Sequence, residues 1–388
     1  VAKKAAKKKT AAKKAAAIEV AVSTNGQLMP PIMGAAAFIL AETIGVAYVK
    51  LVVAAALPAV IYYASLYFMV DFRARREGIR GLKAGEIPAP ETPLSRTWHL
   101  LVPLGVLVAT LFRGYSLLTV ATASMVATLL VSFLRRETWI GPVKLLTALE
   151  SGARKAVAVA VPSAAAGVVI GVAVYTGLGI KLTGSIVELS GGYLFPALLI
   201  VMGACLVLGM GMPTSAAYIM AAVLMGQALQ QYGLSALQAH MFIFYFAILS
   251  MVTPPIALSA YAAAGISGAS MWETGLQAFQ LTLAGFLIPF AFVYNPALIL
   301  QGTPGDVLWI FLTAFAGVAS LAASVNGHLR APVGPGGRGA LFAAALLMIV
   351  PEKATDFAGL LVFGGLWLLQ ARRARRTAAA GGGMSPPG

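Results

Sequence analysis

Charge is scarce in this chain. Asp, Glu, Lys and Arg make up 11% of its 388 residues, less than half the share of about 25% usual in soluble domains. Hydrophobic residues reach 59%, against roughly 45–50%, and the mean hydropathy is +0.86. No Asp, Glu, Lys or Arg lies from Leu189 to Trp272, and no Lys or Arg between Lys181 and Arg330. These absences exclude a soluble globular enzyme, and the high apolar content excludes a disordered or collagen-like chain. Cysteine is nearly missing too. The single Cys205 excludes an internal disulfide and a Cys-built metal cluster, and it reads as a small packing residue. The three histidines, His99, His240 and His328, are too scattered for a metal site. No nucleophile with an acid/base partner is visible. GPGGRG (334–339) lacks the lysine and the strand–turn–helix setting of a phosphate loop. The chain therefore reads as no enzyme, with no cofactor.

What is present is a series of apolar runs near the length of about 20 residues that a bilayer requires. The fold class is an all-α polytopic membrane protein. Spans are expected at 48–70, 98–112, 115–134, 156–178, 276–294 and 306–327. Residues 31–45 are too short to cross alone, 142–155 reads as an amphipathic helix at the interface, and 340–369 is split near Pro351 into two short halves. The long stretch 193–233 is interrupted by GMGMPTS, and 239–266 by TPP.

The net charge of +15 is concentrated. Seven lysines fall in the first 14 residues, arginines crowd 71–97 and 135–155, and four more stand at 372, 373, 375 and 376. With 193–233 as a re-entrant hairpin, the positive-inside rule puts every basic cluster on the cytoplasmic side. The chain then divides into 1–17, a basic Lys/Ala tail; 18–71, a remnant of an N-terminal transport repeat; 72–192, scaffold spans and the interfacial helix; 193–294, a C-terminal transport repeat; 295–370, C-terminal spans; and 371–388, a basic and Gly-rich tail.

Two segments resemble each other. STNGQLMPPIMGAAAF (23–38) and SMVTPPIALSAYAAAG (250–265) share a polar lead-in, Pro-Pro-Ile and an Ala-rich helix. In the topology above they run in opposite directions, which marks a secondary transporter built on inverted repeats with broken helices. Proline lacks an N–H and biases the preceding residue away from helix. Pro30-Pro31 and Pro254-Pro255 therefore free carbonyls at membrane depth, where irregular backbone is tolerated only around a cavity or inside protein. Carbonyls and hydroxyls together suit a hard cation. The half-helix starts just after the breaks favour an anionic substrate group, near Pro31, Ser215, Pro255 and Ser259. Glycines 209 and 211 allow a tight tip, and Pro213, Thr214 and Ser215 are expected to start and cap the returning helix. With no acid in this region and only His240 ionisable, Na⁺ fits better than H⁺.

GMGMPTSAAY (209–218), VTPPIALSAYAAAGIS (252–267), FVYNPALILQG (292–302) and STNGQLMPPIMGAAAFI (23–39) resemble the large membrane subunit of tripartite ATP-independent periplasmic (TRAP) transporters, in particular the fused permease that works with TAXI-class binding proteins. The resemblance runs from about residue 18 to 370. It implies an elevator-type, Na⁺-coupled importer of organic acids in a bacterial inner membrane, supplied by a soluble periplasmic substrate-binding protein. By the resemblance, Ser23, Thr24, Asn25, Gly26 and Gln27 help form one sodium site. Gly211, Met212, Pro213 and Thr214, with Thr253 and Pro254, form the other.

The family also has an earlier hairpin of opposite orientation, and fused members a small four-helix subunit, both ahead of residue 18. Only the Lys/Ala tail stands there, behind Val1. A truncated, misassembled or misannotated reading frame is expected, its first sodium site short of half its ligands, with the missing N-terminal half or small membrane subunit as a partner. The sequence leaves two other readings. One is a non-transporting membrane scaffold. The other is a membrane-tethered nucleic-acid binder through the Lys tail, which ranks lower because the rest of the chain is made for lipid.

Overall fold

Glycine and proline cut the apolar runs into helices. The computed structural model describes residues 2–79, 81, 85, 98–349 and 352–380. Of the polar loop expected at 71–97, Arg80, Lys83, Arg96 and the prolines at 88, 90 and 93 lie outside the described residues, as does Pro351. Among the described residues there are sixteen α-helices and no strand. In chain order they are α1 (Ala2–Asn25), α2 (Ala35–Thr43), α3 (Tyr48–Arg76), α4 (Val102–Phe112), α5 (Leu117–Ser132), α6 (Pro142–Tyr175), α7 (Leu178–Leu189) and α8 (Leu194–Gly209). Then come α9 (Thr214–Gln230), α10 (Ala236–Leu249), α11 (Leu258–Ser267), α12 (Met271–Leu281), α13 (Leu283–Tyr294), α14 (Pro304–Asn326), α15 (Pro335–Leu347) and α16 (Lys353–Ala380).

Several helix starts obey local chemistry. Ser235 and Gln238 form a reciprocal capping box at α10. Thr303 accepts from the Asp306 backbone N–H ahead of Pro304 at α14. Gly327, with φ +62°, closes α14 in the left-handed conformation that glycine adopts without a Cβ penalty.

Among the described residues four helices are long and apolar enough to cross a membrane, Tyr48–Arg76, Met271–Tyr294 (α12 and α13 together), Pro304–Asn326 and Lys353–Arg372, and the bent pair Ser163–Tyr175 and Leu178–Leu189 would make a fifth span if taken as one. Large apolar side chains on the outer faces of α5, α6 and α7, such as Leu118, Met125, Val168 and Ile180, are exposed. In water such a belt is a liability; against lipid tails it is at home. The chain is thus an all-α, multi-pass membrane protein.

Several expected boundaries need correction. The interfacial piece 142–155 and the span 156–178 are one continuous helix of 34 residues, α6, because no residue between them breaks it. Beyond the expected span 156–178 the chain continues as a further helix, α7 (Leu178–Leu189), bent 73° from the end of α6 at Gly177. The span 276–294 starts earlier, at Met271, and is interrupted at Thr282. The second half of 340–369 is not short: α16 continues for 28 residues. The Lys/Ala tail is not a separate unit, since α1 passes through the boundary at 17 and ends only at Asn25.

At the centre lies α10. Every residue from Gln238 to Leu249 is buried, as befits a helix that is apolar all round. It packs against α8, α9 and α13. Between helices in lipid there is little hydrophobic drive, so close packing and aromatic pairs hold the contact. Phe242 meets Phe290 edge-on at 5.4 Å, and Phe246 meets Phe286 at 5.9 Å. Such pairs contribute about 0.5–1.5 kcal/mol each. Gly285 lets α13 close on α3: a Cβ there would stand 2.6 Å from the Tyr62 ring.

A set of basic residues shares one end of the bundle. Lys13 pairs with Glu273 at 3.1 Å, and Lys14 pairs with Glu77. Arg76 donates to the Asn326 carbonyl at 2.9 Å, and Arg338 to the Ser324 carbonyl at 2.8 Å. Gln370 accepts from the Arg330 and Ala331 backbone N–H groups, while the Arg330 guanidinium lies 4.0 Å over the Trp367 ring. These contacts bring the ends of α3, α14 and α16 to the same level as Lys13 of α1 and the start of α12.

Candidate functional site: two broken helices and a hairpin tip

Each Pro-Pro step ends a helix in the same way. At the first, α1 tightens into a 3₁₀ turn, Gly26–Leu28, before Pro30-Pro31. At the second, α10 tightens at Ser250–Val252 before Pro254-Pro255. Both proline–proline bonds are cis. A short helix comes after each, nine residues in α2 and ten in α11. The two breaks also run in opposite directions. Lys13 of α1 pairs with Glu273, just beyond α11, so the chain enters the first break from the end to which it leaves the second. The halves interlock, α1 lying on α11 and α12, and α2 on α9 and α10.

Between them stands the hairpin. α8 ends at Gly209, Gly211 turns at φ +77°, and α9 starts after Pro213. The tip faces the second break. A Cβ on Gly209 would stand 2.7 Å from Ser250 Cβ, and one on Gly211 would stand 3.9 Å from Ile256 Cγ2. The Thr214 hydroxyl donates to Met251 Sδ at 2.9 Å, and the Gln27 amide reaches the same sulfur at 4.0 Å. One methionine thus joins the first break, the tip and the second break.

The last turn of α1 carries oxygens in need of a partner. Thr24 and Asn25 are buried. Among the described residues Thr24 Oγ1 and Asn25 Oδ1 have no hydrogen-bond partner, although the Asn25 amide nitrogen donates to the Ala21 carbonyl and to the Tyr62 hydroxyl. Buried polar atoms are paired in the great majority of cases, and an orphan calls for an explanation such as an ion or a water. Two oxygens of this kind, with no carboxylate bonded to either, fit a hard monovalent cation.

The anticipated residues divide. Gln27, Thr214 and the Gly209–Gly211 turn meet at the crossing. Met212 is half-buried in the tip. Ser23 does not join it: the residue is exposed and its hydroxyl donates to Glu19 at 2.7 Å. It also stays helical, as do Thr24 and Asn25, so the unwound lead-in begins only at Gly26. Thr253 turns its hydroxyl back to the Leu249 carbonyl at 2.7 Å. Thr214 and Ser215 do not cap α9; they fill its first turn, and Pro213 occupies the cap position without a side-chain bond. Ser215 approaches Ser163 of α6 at 3.5 Å, and Ser259 sits half-buried in the first turn of α11.

The carbonyls after the breaks are also less free than anticipated. The Tyr48 hydroxyl lies 3.2 Å from the carbonyls of both Pro31 and Ile32, and the Tyr261 hydroxyl donates to the Pro255 carbonyl. A tyrosine thus serves the second proline of each pair. Sequence reasoning missed both, and missed Met251 and Tyr62. Tyr261 was within reach, six residues beyond Pro255, whereas Tyr48 and Tyr62 arrive from the next helix.

A family model described as "Tripartite ATP-independent periplasmic transporter, DctM component" matches residues 2–304. No curated protein and no solved structure matches the chain. The family match begins in the Lys/Ala helix and takes in both breaks, the hairpin and the buried α10, and on that span the chain belongs to the DctM-component family of TRAP transporters, a family of membrane permeases and not of enzymes.

Proposed function

We propose that this chain is the permease of a Na⁺-coupled importer, which takes an organic acid from a soluble periplasmic binding protein and carries it across a bacterial inner membrane. One observation carries the sodium reading foremost. Thr24 Oγ1 and Asn25 Oδ1 are buried without partners among the described residues, in the helical turn before the first break. Thr214 and the second break supply a further set of hydroxyls and carbonyls at the crossing. No Asp or Glu lies from Leu189 to Trp272, so a carboxylate-based proton relay has no member in that half. The anionic substrate group falls to the N–H ends of α2, α9 and α11, none of which has a side-chain cap, around Pro31, Ser215, Pro255 and Ser259. A binding protein and a small membrane subunit are the partners that family membership supports.

The nucleic-acid reading loses support at Lys13 and Lys14. Both point into ion pairs with acids of α12 and the end of α3.

The test is thermal unfolding of the purified chain in NaCl, KCl and choline chloride at equal ionic strength. A ligand at 100 times its Kd stabilises by about 2.7 kcal/mol, so the midpoint rises in Na⁺ alone. Thr24→Val and Asn25→Leu each reduce that rise. Equal midpoints in the three salts overturn the sodium assignment. Substrate class is then read from Na⁺-dependent uptake of labelled organic acids into vesicles that also hold the binding protein.

A further inference from the structure

The basic end of the bundle carries a cavity of about 770 Å³, remote from both breaks. The end of α3, the α12–α13 junction, the end of α14 and the start of α15 surround it. Arg73, Arg76 and Arg338 line it, and Met69 and Phe342, one turn from Arg73 and Arg338 on the same helices, give it apolar walls together with Leu281. Among the described residues Glu77 is the one acid in the lining, and it is engaged by Lys14 and by Arg73. Those cations hold its carboxyl below the usual range. The three arginines therefore outweigh it.

The guanidiniums are also pre-oriented. Arg76 gives one N–H to the Asn326 carbonyl, and Arg338 gives two to the carbonyls of Ser324 and Val325. These are the last carbonyls of α14, where the helix dipole favours cations. A guanidinium has five N–H donors in a rigid fork, so each keeps donors for a further acceptor. Forks of this kind match phosphate oxygens.

We propose that this cavity binds a phosphate group, and that the apolar walls select the phosphate of an anionic phospholipid. The volume lies in the range of about 300–1,000 Å³ that accommodates a whole organic ligand. A bare phosphate would leave the exposed Phe342 ring facing water, whereas a lipid covers it with its glycerol and first methylenes. Basic pockets between helices on the positive side of a membrane take such headgroups.

The experiment is native mass spectrometry of the detergent-purified full chain with added phosphatidylglycerol or phosphatidylcholine, alongside titration with inorganic phosphate. Wild-type protein retains phosphatidylglycerol in preference to phosphatidylcholine. Arg76→Gln and Arg338→Gln each weaken retention about fivefold. Because both also hold the end of α14, Gln280→Glu is the second probe: Gln280 is exposed in the same cavity, and a carboxylate there repels the headgroup without touching that helix end. Retention lost in Gln280→Glu at an unchanged unfolding midpoint supports the site. If phosphatidylglycerol shows no preference while inorganic phosphate binds and is lost in the variants, the phosphate chemistry stands and its source is soluble. Equal retention of both lipids in every variant, with no phosphate binding, overturns the proposal.

Discussion

Gly209→Ala tests the crossing because two effects of opposite sign compete there. Gly209 is the last residue of α8, and its φ is not among the positive values, so alanine fits the backbone. On helix propensity alone the change is favourable, by up to about 1 kcal/mol. Yet the new methyl would stand 2.7 Å from Ser250 Cβ, with the Ser250 hydroxyl closer still, and 3.5 Å from Ala217 Cβ. Ser250 is fully buried in the 3₁₀ turn before the second break and its hydroxyl donates to the Ala247 carbonyl at 2.8 Å, so it has nowhere to retreat. Overpacking of this kind costs about 1–3 kcal/mol, which outweighs the propensity gain. The single variant is therefore destabilised, and its hairpin tip is pushed from the second break. Ser250→Gly removes the opposing atoms, so the double variant recovers at least about 1 kcal/mol relative to the sum of the singles. The assay is thermal unfolding of all four proteins in one detergent. A Gly209→Ala midpoint at or above wild type, or strict additivity, refutes the close approach of tip and break.

Four other outcomes are expected. Thr214→Val takes a donor from Met251 Sδ, and Met251→Leu removes the shared sulfur; a double-mutant cycle of the two gives a coupling of about 0.5 kcal/mol or more, and zero coupling refutes the contact. Tyr48→Phe and Tyr261→Phe each leave a proline carbonyl unpaired and cost about 0.5–1.5 kcal/mol; an unchanged unfolding midpoint in both argues against the tyrosine–carbonyl bonds. His328, beyond the end of α14, has its pKa lowered by burial and by Arg75 and Arg76, so the unfolded chain binds the proton more readily. Its contribution is complete above about pH 6.5 and is lost as the pH falls from there toward the lower folded value. His328→Gln flattens that part of the stability profile, and identical profiles overturn the assignment. Glu77→Gln removes the partner of Lys14 and Arg73, and at the lipid–water boundary costs no more than about 1 kcal/mol; its effect shrinks in high salt, and an effect that salt leaves untouched contradicts an ion pair.

Much of the fold was legible because lipid makes a simple demand. A run of apolar residues without charge has one stable backbone solution, a helix, and paired prolines or a Gly-Met-Gly-Met-Pro tip say where it stops. The repeat was legible for the same reason, through Pro-Pro-Ile at two positions. Boundaries were less so where no breaker stands. The charged residues of 142–155 looked like an interfacial piece, but helix continues through them because nothing at their boundary with 156 breaks it, and Glu150 and Arg154 pair one turn apart along it. The site was half legible. Gln27 and Thr214 could be named from their place beside the breaks. Met251, Tyr48 and Tyr62 could not, since an apolar or aromatic residue in an apolar sequence carries no signal of what it will touch. Nor could the spent carbonyls of Pro31 and Pro255, because their tyrosines are set by how α2 and α11 fold back.

The burial of α10 bears on how the protein is made. Fourteen residues of helix span about 21 Å, short of a hydrocarbon core of roughly 30 Å, and the helix keeps no side for lipid. As a lone segment leaving the translocation machinery it is therefore too short to span the bilayer by itself. Its ladder of phenylalanines becomes stable only once α8 and α9 are in place and α13 has emerged. The second break, attached to its end, takes shape in the same late step, so the order of synthesis makes the C-terminal crossing an assembly event and not a property of any single inserted helix.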